Sequence, residues 1–253
     1  MVSQLDKPTK TDIIYPETDG LPMANNTIQF RWILVIEQNL DWLFADDPNV
    51  FIAGDLFWYP MEGNNKTVTA PDIMVAFGTS KGDRGSYKQW EENNIAPQVV
   101  FEILSPGNTN REMAQKLIFY DRYGVEEYYI YDPDDNTLEG WLRGDHSLEV
   151  IDEINHWQSP RLGITFNLLP EELQINRPDG SQFLSYNDIS QQLEQETQRA
   201  EKEAQRAEKE AQRAEKEAQR VKLERQEKEK ALKKSEEMAE LLKKYQDRFG
   251  DLP

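Results

Sequence analysis

The chain has 253 residues, of which 38% are hydrophobic, with a formal net charge of −18 and no Cys. The absence of Cys excludes disulfide frameworks and Cys-ligated zinc. No apolar run reaches the ~18 residues that a membrane-spanning helix needs, and the N-terminus has no signal-peptide apolar core. We therefore expect a cytoplasmic protein that does not bind a membrane.

The charge is unevenly distributed along the chain. Residues 1–193 hold 31 acidic and 13 basic residues, whereas residues 194–253 hold 16 of each. The N-terminal part should therefore repel nucleic-acid phosphates, because non-specific binding to them depends on Lys and Arg. Phosphate-directed chemistry would need a metal ion or a local basic patch. The compact basic cluster of Lys81, Arg84 and Lys88 could meet phosphates or belong to a solvated loop.

After an N-terminal extension, residues 1–24, helical and β patterns alternate up to residue 185. The predicted elements are a helix over 27–43, β segments within 49–60, 70–78 and 98–104, a helix within 108–124, a hairpin over 125–144 and β segments at 147–152 and 163–169. We expect Asn26 or Thr27 to cap the first helix, Asn108 or Asn110 to lie near the cap of the second, and Gly124 to end the second helix. This order predicts an α/β (α+β) domain over 25–185, a mixed central sheet flanked by helices.

Residues 186–253 are predicted to form one long helix. The heptad Ala-Glu-Lys-Glu-Ala-Gln-Arg occurs three times without change, from Ala200, Ala207 and Ala214. Ala at both core positions of the heptad gives a narrow seam, which predicts a coiled coil that makes a homodimer or binds another partner. Because Ala buries little apolar area, a solitary solvated helix is the alternative.

Two acids stand in otherwise apolar predicted strands. Asp72 opens one of them, and Glu102 lies within the sequence Gln-Val-Val-Phe-Glu-Ile-Leu-Ser-Pro-Gly-Asn. Apolar residues on both faces indicate central strands that are covered on two sides. If the strands pair with Asp72 and Glu102 on the same face, the two carboxylates converge and repel each other. A divalent cation such as Mg²⁺ is the usual relief for that repulsion.

Lys116 is the third candidate. It lies on the helix after the Glu102 strand, and the four-residue spacing puts Glu112, Lys116 and Tyr120 on one side of that helix. If the helix folds back over the strand, the ammonium group approaches the acids. There it could orient or deprotonate an attacking water, or offset charge on a phosphate.

The order of these motifs resembles one known family. The matching residues are Pro71-Asp72, Glu102-Ile103-Leu104-Ser105-Pro106, Lys116, Tyr120, Gly124-Val125 and Asp132-Pro133. Over residues 25–170 the chain resembles the Uma2 family, also called DUF820, a branch of the PD-(D/E)XK superfamily of nucleases. The resemblance implies a restriction endonuclease-like fold with Asp72 and Glu102 as ligands of Mg²⁺ or Mn²⁺. Leu104 stands where the superfamily Lys usually lies, and the resemblance implies that Lys116 replaces it.

The resemblance also suggests supporting acids and a function. Glu37 is a helix-borne acid of the kind that this superfamily often places near the metal, and Asp55 precedes the Asp72 strand; each could instead be a surface or turn residue. The predicted function is a Mg²⁺-dependent endonuclease that hydrolyses DNA, which it binds weakly or conditionally. The alternative is an inactive nuclease-fold module that assembles through the coiled coil. Intact heptads, and the lack of a His that many members carry in the first helix, favour that alternative.

Overall fold

A computed structural model describes residues 13–20 and 22–250. Residues 1–12 and 21 of the predicted extension, and 251–253 of the predicted tail, lie outside the described residues. The described chain forms two compact units, which divide between Asp188 and Ile189. Within the described ranges, no helix is long and apolar enough to cross a membrane.

The first helix, α1 (Thr27–Leu43), has the predicted bounds. Asn26 caps it, because its side-chain oxygen accepts a hydrogen bond from the Gln29 N–H at 2.7 Å. One stripe of the helix is apolar and buried, and it includes Trp32, Ile36 and Leu40. Residues at this spacing share a helix face, so α1 packs that face into the core.

Strands supply the rest of the first unit's framework. They are β1 (Val50–Gly54), β2 (Trp58–Tyr59), β3 (Ile73–Phe77), β4 (Tyr87–Lys88), β5 (Val99–Ile103), β6 (Glu127–Asp132), β7 (Thr137–Arg143), β8 (Leu148–Val150), β9 (Thr165–Leu168) and β10 (Leu173–Asn176). Within the described residues, six strands form a mixed sheet in the order β1-β3-β5-β6-β7-β8, and β9–β10 and β2–β4 form two small sheets. The predicted mixed α/β architecture is confirmed.

The central sheet is covered on both faces. Ile73 and Val75 of β3 join a cluster with α1, β9 and β10. Met74 and Ala76 of the same strand join a second cluster on the other face, which includes Tyr120 and residues of β2 and β4. Because successive side chains of β3 point to opposite faces, the strand contributes to two separate cores, as the sequence pattern predicted for a central strand.

The second helix, α2 (Asn110–Tyr123), crosses between the parallel strands β5 and β6. Its cap is Thr109, whose hydroxyl accepts from the Glu112 N–H at 3.2 Å, so the cap lies between Asn108 and Asn110, the residues predicted near it. The Asn108 side chain instead accepts from the Ser105 N–H at 2.9 Å and closes the turn before the helix. Gly124 ends α2 with φ +91°, a left-handed conformation that glycine adopts without strain, as predicted.

The third helix, α3 (Tyr186–Phe249), contains the heptads. Its large apolar residues are solvent-exposed within the single chain, including Leu232 and Leu242 at 62% and 60% exposure. Pairing of this helix with another helix stays a prediction.

Candidate active site

Asp72 and Glu102 meet across two neighbouring strands. β3 and β5 are antiparallel, with Ile73 opposite Phe101. Continuing that register by one residue puts Asp72 opposite Glu102, on the sheet face that α2 covers. The Ile103 N–H donates to Asp72 Oδ2 at 2.7 Å, which fixes that carboxyl group at the end of the strand pair.

The surroundings of Asp72 disfavour its charge. Burial raises the pKa of Asp72 to about 8, and the neighbouring Glu102 carboxylate adds to the increase. The Lys116 ammonium and the hydrogen bond from Ile103 act in the opposite direction but are weaker. At neutral pH and without a metal, Asp72 is therefore largely protonated, because its surroundings disfavour a second carboxylate beside Glu102.

Glu102 is held at both of its oxygens. The side chain is buried, with 2% of the residue exposed. Lys116 Nζ donates to Glu102 Oε2 at 2.7 Å, and the Tyr120 hydroxyl donates to Oε1 at 2.5 Å. Both donors come from α2, one helical turn apart. The helix therefore folds back over β5 and brings Lys116 to the acids.

Lys116 carries its charge in this setting. Burial alone lowers its pKa, but the Glu102 and Asp72 carboxylates outweigh that effect, so the pKa is raised above its ordinary value. Lys116 Nζ also lies 3.4 Å from the Ala70 carbonyl oxygen. The side chain is thus an ammonium group at neutral pH, held between a main-chain oxygen and a carboxylate.

Tyr120 has a place in this cluster that the sequence did not assign to it. It is fully buried, it stacks on Trp58 at a centroid distance of 6.3 Å, and it meets Tyr128 edge-on at 4.9 Å. Burial and the Glu102 carboxylate raise its pKa well above the ordinary value. Its hydroxyl is therefore a neutral donor that orients Glu102. The four-residue spacing from Lys116 was the available signal.

A cavity of about 520 Å³ opens beside the cluster, and Asp72, Lys116, Asp55 and Glu112 are among its lining residues. The Asp55 N–H donates to the Asp72 carbonyl at 3.2 Å, which ties the loop after β1 to the start of β3. Burial, Asp19 and Glu102 raise the pKa of Asp55, while Lys116 opposes the shift. The structure thus brings Asp55 into the cavity with Asp72 and Lys116.

Glu37 is placed elsewhere. It lines a different cavity of about 450 Å³, together with Asp41 and Lys81, and is not among the residues that line the Asp72 cavity. Burial and Asp41 raise its pKa. Glu37 therefore lies outside the Asp72 cavity, although its Cγ and the Asp72 carbonyl oxygen are both within 4 Å of the point where a Cβ of Gly54 would stand.

The basic cluster of the 79–96 loop is neutralised within the loop and its surroundings. Lys81 pairs with Asp41 at 2.9 Å, Arg84 with Glu92 at 2.6 Å, and Lys88 with Glu91 at 3.4 Å. Arg84 also lies over the Phe51 ring, 4.0 Å from its centroid. These contacts favour a structural role for the cluster over phosphate binding.

Polar residues at the start of α1 support the end of β5. Gln29 Nε2 donates to the Ile103 carbonyl at 2.8 Å, and its Oε1 accepts from the Asn25 N–H at 2.8 Å. Asn25 Nδ2 in turn donates to Ser105 Oγ at 3.0 Å. Sequence reasoning missed this set, because the partners lie more than 70 residues apart and follow no periodic pattern.

The donor set fits a hard divalent cation. Asp72 Oδ1 accepts no hydrogen bond from the described residues, while Oδ2 accepts one. In the part of the chain that the structure describes, no group of three or more His, Asp or Glu side chains is arranged to hold a metal. The protein would therefore offer two carboxylates, which suits Mg²⁺ because this ion usually keeps several waters and binds through one or two carboxylates.

Comparison with protein families matches residues 20–177 to the Uma2 model, described as "Putative restriction endonuclease". That range is 158 of the 253 residues. The chain belongs to the Uma2 family. The family identity suggested by the motif order is thereby confirmed, and the matched range contains α1, α2, the central sheet and the residues Asp72, Glu102 and Lys116 of this Uma2 protein.

Solved structures include a similar protein. It is described as "a putative nuclease belonging to DUF820" from Anabaena variabilis, with 18% sequence identity and a TM-score of 0.40. The similarity covers 53% of this Uma2 chain and 72% of the other chain. No curated protein matches the sequence.

Proposed function

We propose that this Uma2 protein is a metal-dependent endonuclease that hydrolyses phosphodiester bonds of DNA. The observation that carries the proposal is the arrangement of Asp72 beside Glu102, with the Lys116 ammonium 2.7 Å from the latter, next to an open cavity. Membership of a family whose description reads "Putative restriction endonuclease" supports it. An acid pair can hold a divalent ion, and an adjacent cation can stabilise charge on a phosphate; metal-assisted phosphoryl chemistry uses both.

Asp72 and Glu102 would hold the ion, Mg²⁺ or Mn²⁺. When bound, such an ion supplies charge stabilisation at the phosphate and lowers the pKa of a coordinated water. The raised pKa of Asp72 supports this assignment, since a bound cation would stabilise the ionised carboxylate against the desolvation and the Glu102 repulsion that raise the pKa.

The other residues position these acids. Tyr120 and Lys116 each donate to one Glu102 oxygen, so the carboxylate cannot rotate freely. The Ile103 N–H does the same for Asp72. Preorganised groups of this kind lower the reorganisation that a reaction requires.

Lys116 would act mainly through its charge. Its ammonium group is held beside the acids and lines the cavity, in which the other charged lining residues are acids. A fixed cation at that point offsets charge that builds up on the phosphate oxygens. Of the two roles considered for Lys116, charge neutralisation is therefore favoured over removal of a proton from water.

The test is cleavage of supercoiled plasmid DNA with Mg²⁺ or Mn²⁺, with EDTA as the metal-free control. We expect nicking by the wild type, and its loss in the isosteric variants Asp72→Asn and Glu102→Gln. Glu91→Gln is the matched control, because Glu91 is a surface acid in the ion pair with Lys88. It should cleave like the wild type.

Two results would contradict the proposal. One is equal cleavage by the wild type and both site variants, which would point to a contaminating nuclease. The other is calorimetric titration in which Mn²⁺ binds the wild type and the Asp72→Asn variant equally, because the acid pair would then not be the metal site.

A further inference from the structure

The repeats of α3 separate charge around the helix. Seven basic residues follow one another at alternating spacings of three and four residues: Arg199, Lys202, Arg206, Lys209, Arg213, Lys216 and Arg220. Because α3 is continuous over this range, that spacing puts all seven on one face, which we call the basic face. At about 1.5 Å per residue it extends for roughly 30 Å.

The opposite side of the same segment is acidic. It carries the Ala seam with Glu on both flanks: Glu201, Glu203, Glu208, Glu210, Glu215 and Glu217. One Glu row borders the basic face, because Glu203, Glu210 and Glu217 each stand three residues before one Arg and four after the previous one; the other edge is bordered by Gln205, Gln212 and Gln219. The segment is nearly neutral as a whole, yet its two sides have opposite charge.

The basic face is available for binding. All of its residues are exposed. Arg220 pairs with Glu217 at 2.6 Å, whereas the other six cations form no ion pair within the described residues. Two of the flanking acids accept hydrogen bonds from Gln side chains instead: Glu208 from Gln212 at 3.3 Å and Glu215 from Gln219 at 3.4 Å. Within the described helix, most cations of the basic face are therefore not engaged in ion pairs.

We infer that the basic face binds the phosphate backbone of double-stranded DNA. This inference rests on the proposed function. The basic face would add positive charge for DNA binding to a protein whose first unit is acidic. Residues 1–193 have an excess of 18 acidic residues, and their one compact basic cluster is paired with acids. A straight row of cations roughly 30 Å long spans about nine base pairs of duplex.

Other occupants fit the segment less well. A helix that lies on a membrane opposes its cations with large apolar residues, whereas this one opposes them with Ala and Glu. A second copy packed on the Ala seam would bring Glu rows against Glu rows in either orientation. Contact between the basic face of one copy and the acidic side of another is the remaining competitor, and the test below separates it.

The test compares two full-length variants with equal change in net charge. The face variant replaces Lys202, Arg206, Lys209, Arg213 and Lys216 by Gln. The control variant replaces Lys228, Lys230, Lys233, Lys234 and Lys243 by Gln, on the same helix but off the basic face. Lys, Arg and Gln have similar helix propensities, and circular dichroism should verify equal helicity.

Binding of a labelled duplex of about 30 base pairs is measured by fluorescence anisotropy in EDTA over a range of salt concentrations. We expect the face variant to bind about tenfold more weakly or worse at low salt, with its salt slope reduced by close to one per lost phosphate contact. The control variant should keep the wild-type slope.

Equal loss in both variants would show that only net charge matters, and would overturn the inference, as would no loss in either. Loss of self-association in the face variant by analytical ultracentrifugation, without loss of DNA binding, would assign the face to another copy instead. Stronger binding to anionic vesicles than to DNA would assign it to a membrane. Since cleavage plays no part in these readouts, face-dependent binding without any nuclease activity contradicts the proposed function alone.

Discussion

Glu102 and Glu127 are buried glutamates on neighbouring strands of one sheet, but their surroundings differ. Glu102 is 2% exposed on β5 and Glu127 is 0% exposed on β6. They face opposite sides of the sheet, because Glu102 contacts α2 whereas Glu127 shares its face with Tyr129 of the α1-side core. A buried acid by itself therefore does not mark a functional site, and its partners have to be compared.

Glu127 has a structural role, because its buried carboxylate is fully hydrogen-bonded. Its carboxylate accepts hydrogen bonds from the Tyr129 hydroxyl at 2.9 Å, from the Arg161 N–H at 2.6 Å and from the Ser159 hydroxyl. Ser159 in turn accepts from the Leu162 N–H at 3.0 Å. Burial raises the pKa of Glu127, and the hydrogen bonds moderate the rise. Neutral donors from β6 and from the turn that contains Ser159 and Arg161 thus satisfy this acid.

Glu102 instead belongs to a group of charged residues that borders a cavity. Its partners include a cation, Lys116, and its strand neighbour Asp72 is a second acid with a pKa of about 8. The set borders a cavity of about 520 Å³. The comparison teaches that a second acid with a raised pKa, placed beside a cation and open space, distinguishes the candidate active site from a structural network, whereas burial does not.

The largest expected effect comes from the structural acid. Glu127→Ala should lower the free energy of unfolding by about 2–4 kcal/mol, because several buried donors lose their acceptor at once. Urea denaturation measures it. The neighbouring Glu126→Ala is the control, since Glu126 forms a partly exposed pair with Arg161 at 2.6 Å and should cost under about 1 kcal/mol. Equal losses in the two variants would contradict the structural role of Glu127.

Asp72→Asn should have the opposite sign. The amide oxygen can still accept from the Ile103 N–H, while the repulsion with Glu102 disappears. A carboxyl group whose folded pKa is raised to about 8 destabilises the protein progressively as pH rises from about 4 to about 8. In EDTA, the variant should therefore gain roughly 1–3 kcal/mol at pH 8 and much less at pH 5.

Thermal denaturation with added Mn²⁺ completes that experiment. The wild type should gain Tm on metal addition, and the Asp72→Asn variant should not, because ligand binding to the folded state alone produces the shift. A destabilised variant in EDTA at pH 8, or an unchanged metal response, would remove the assignment of Asp72 as a strained metal ligand.

The sequence predicted the acids and Lys116 because their positions follow from simple periods. Alternation along β3 and β5 determined that Asp72 and Glu102 share a face if the strands pair, and helical spacing put Lys116 and Tyr120 on one side of α2. The hydrogen-bond network around Glu127 follows no sequence period, since its partner Ser159 lies 32 residues away. Side-chain contacts between such distant segments depend on how the layers pack.

The two tyrosines beside Glu102 give a sharper comparison. Tyr120→Phe should reduce nuclease activity about tenfold or more, because residues that orient metal ligands typically contribute that much. Tyr128→Phe is the matched control: its hydroxyl is buried without a hydrogen-bond partner in the described structure, so the variant should be neutral or slightly more stable. Initial rates at saturating Mg²⁺ measure the effect, and equal rates in both variants would exclude orientation of Glu102 by Tyr120.

The smallest effect concerns the two supporting acids, Asp55 and Glu37. Asp55 lines the cavity with Asp72 and Lys116, whereas Glu37 lines another one. Asp55→Asn should therefore weaken Mn²⁺ affinity a few-fold, since it removes a nearby negative charge, and Glu37→Gln should leave the affinity within about twofold of the wild type. Isothermal titration of both variants with Mn²⁺ compares them directly. The reverse order would mean that α1 approaches the acid pair when metal binds, as superfamily resemblance suggested for Glu37, and would shift the metal-binding cluster towards that helix.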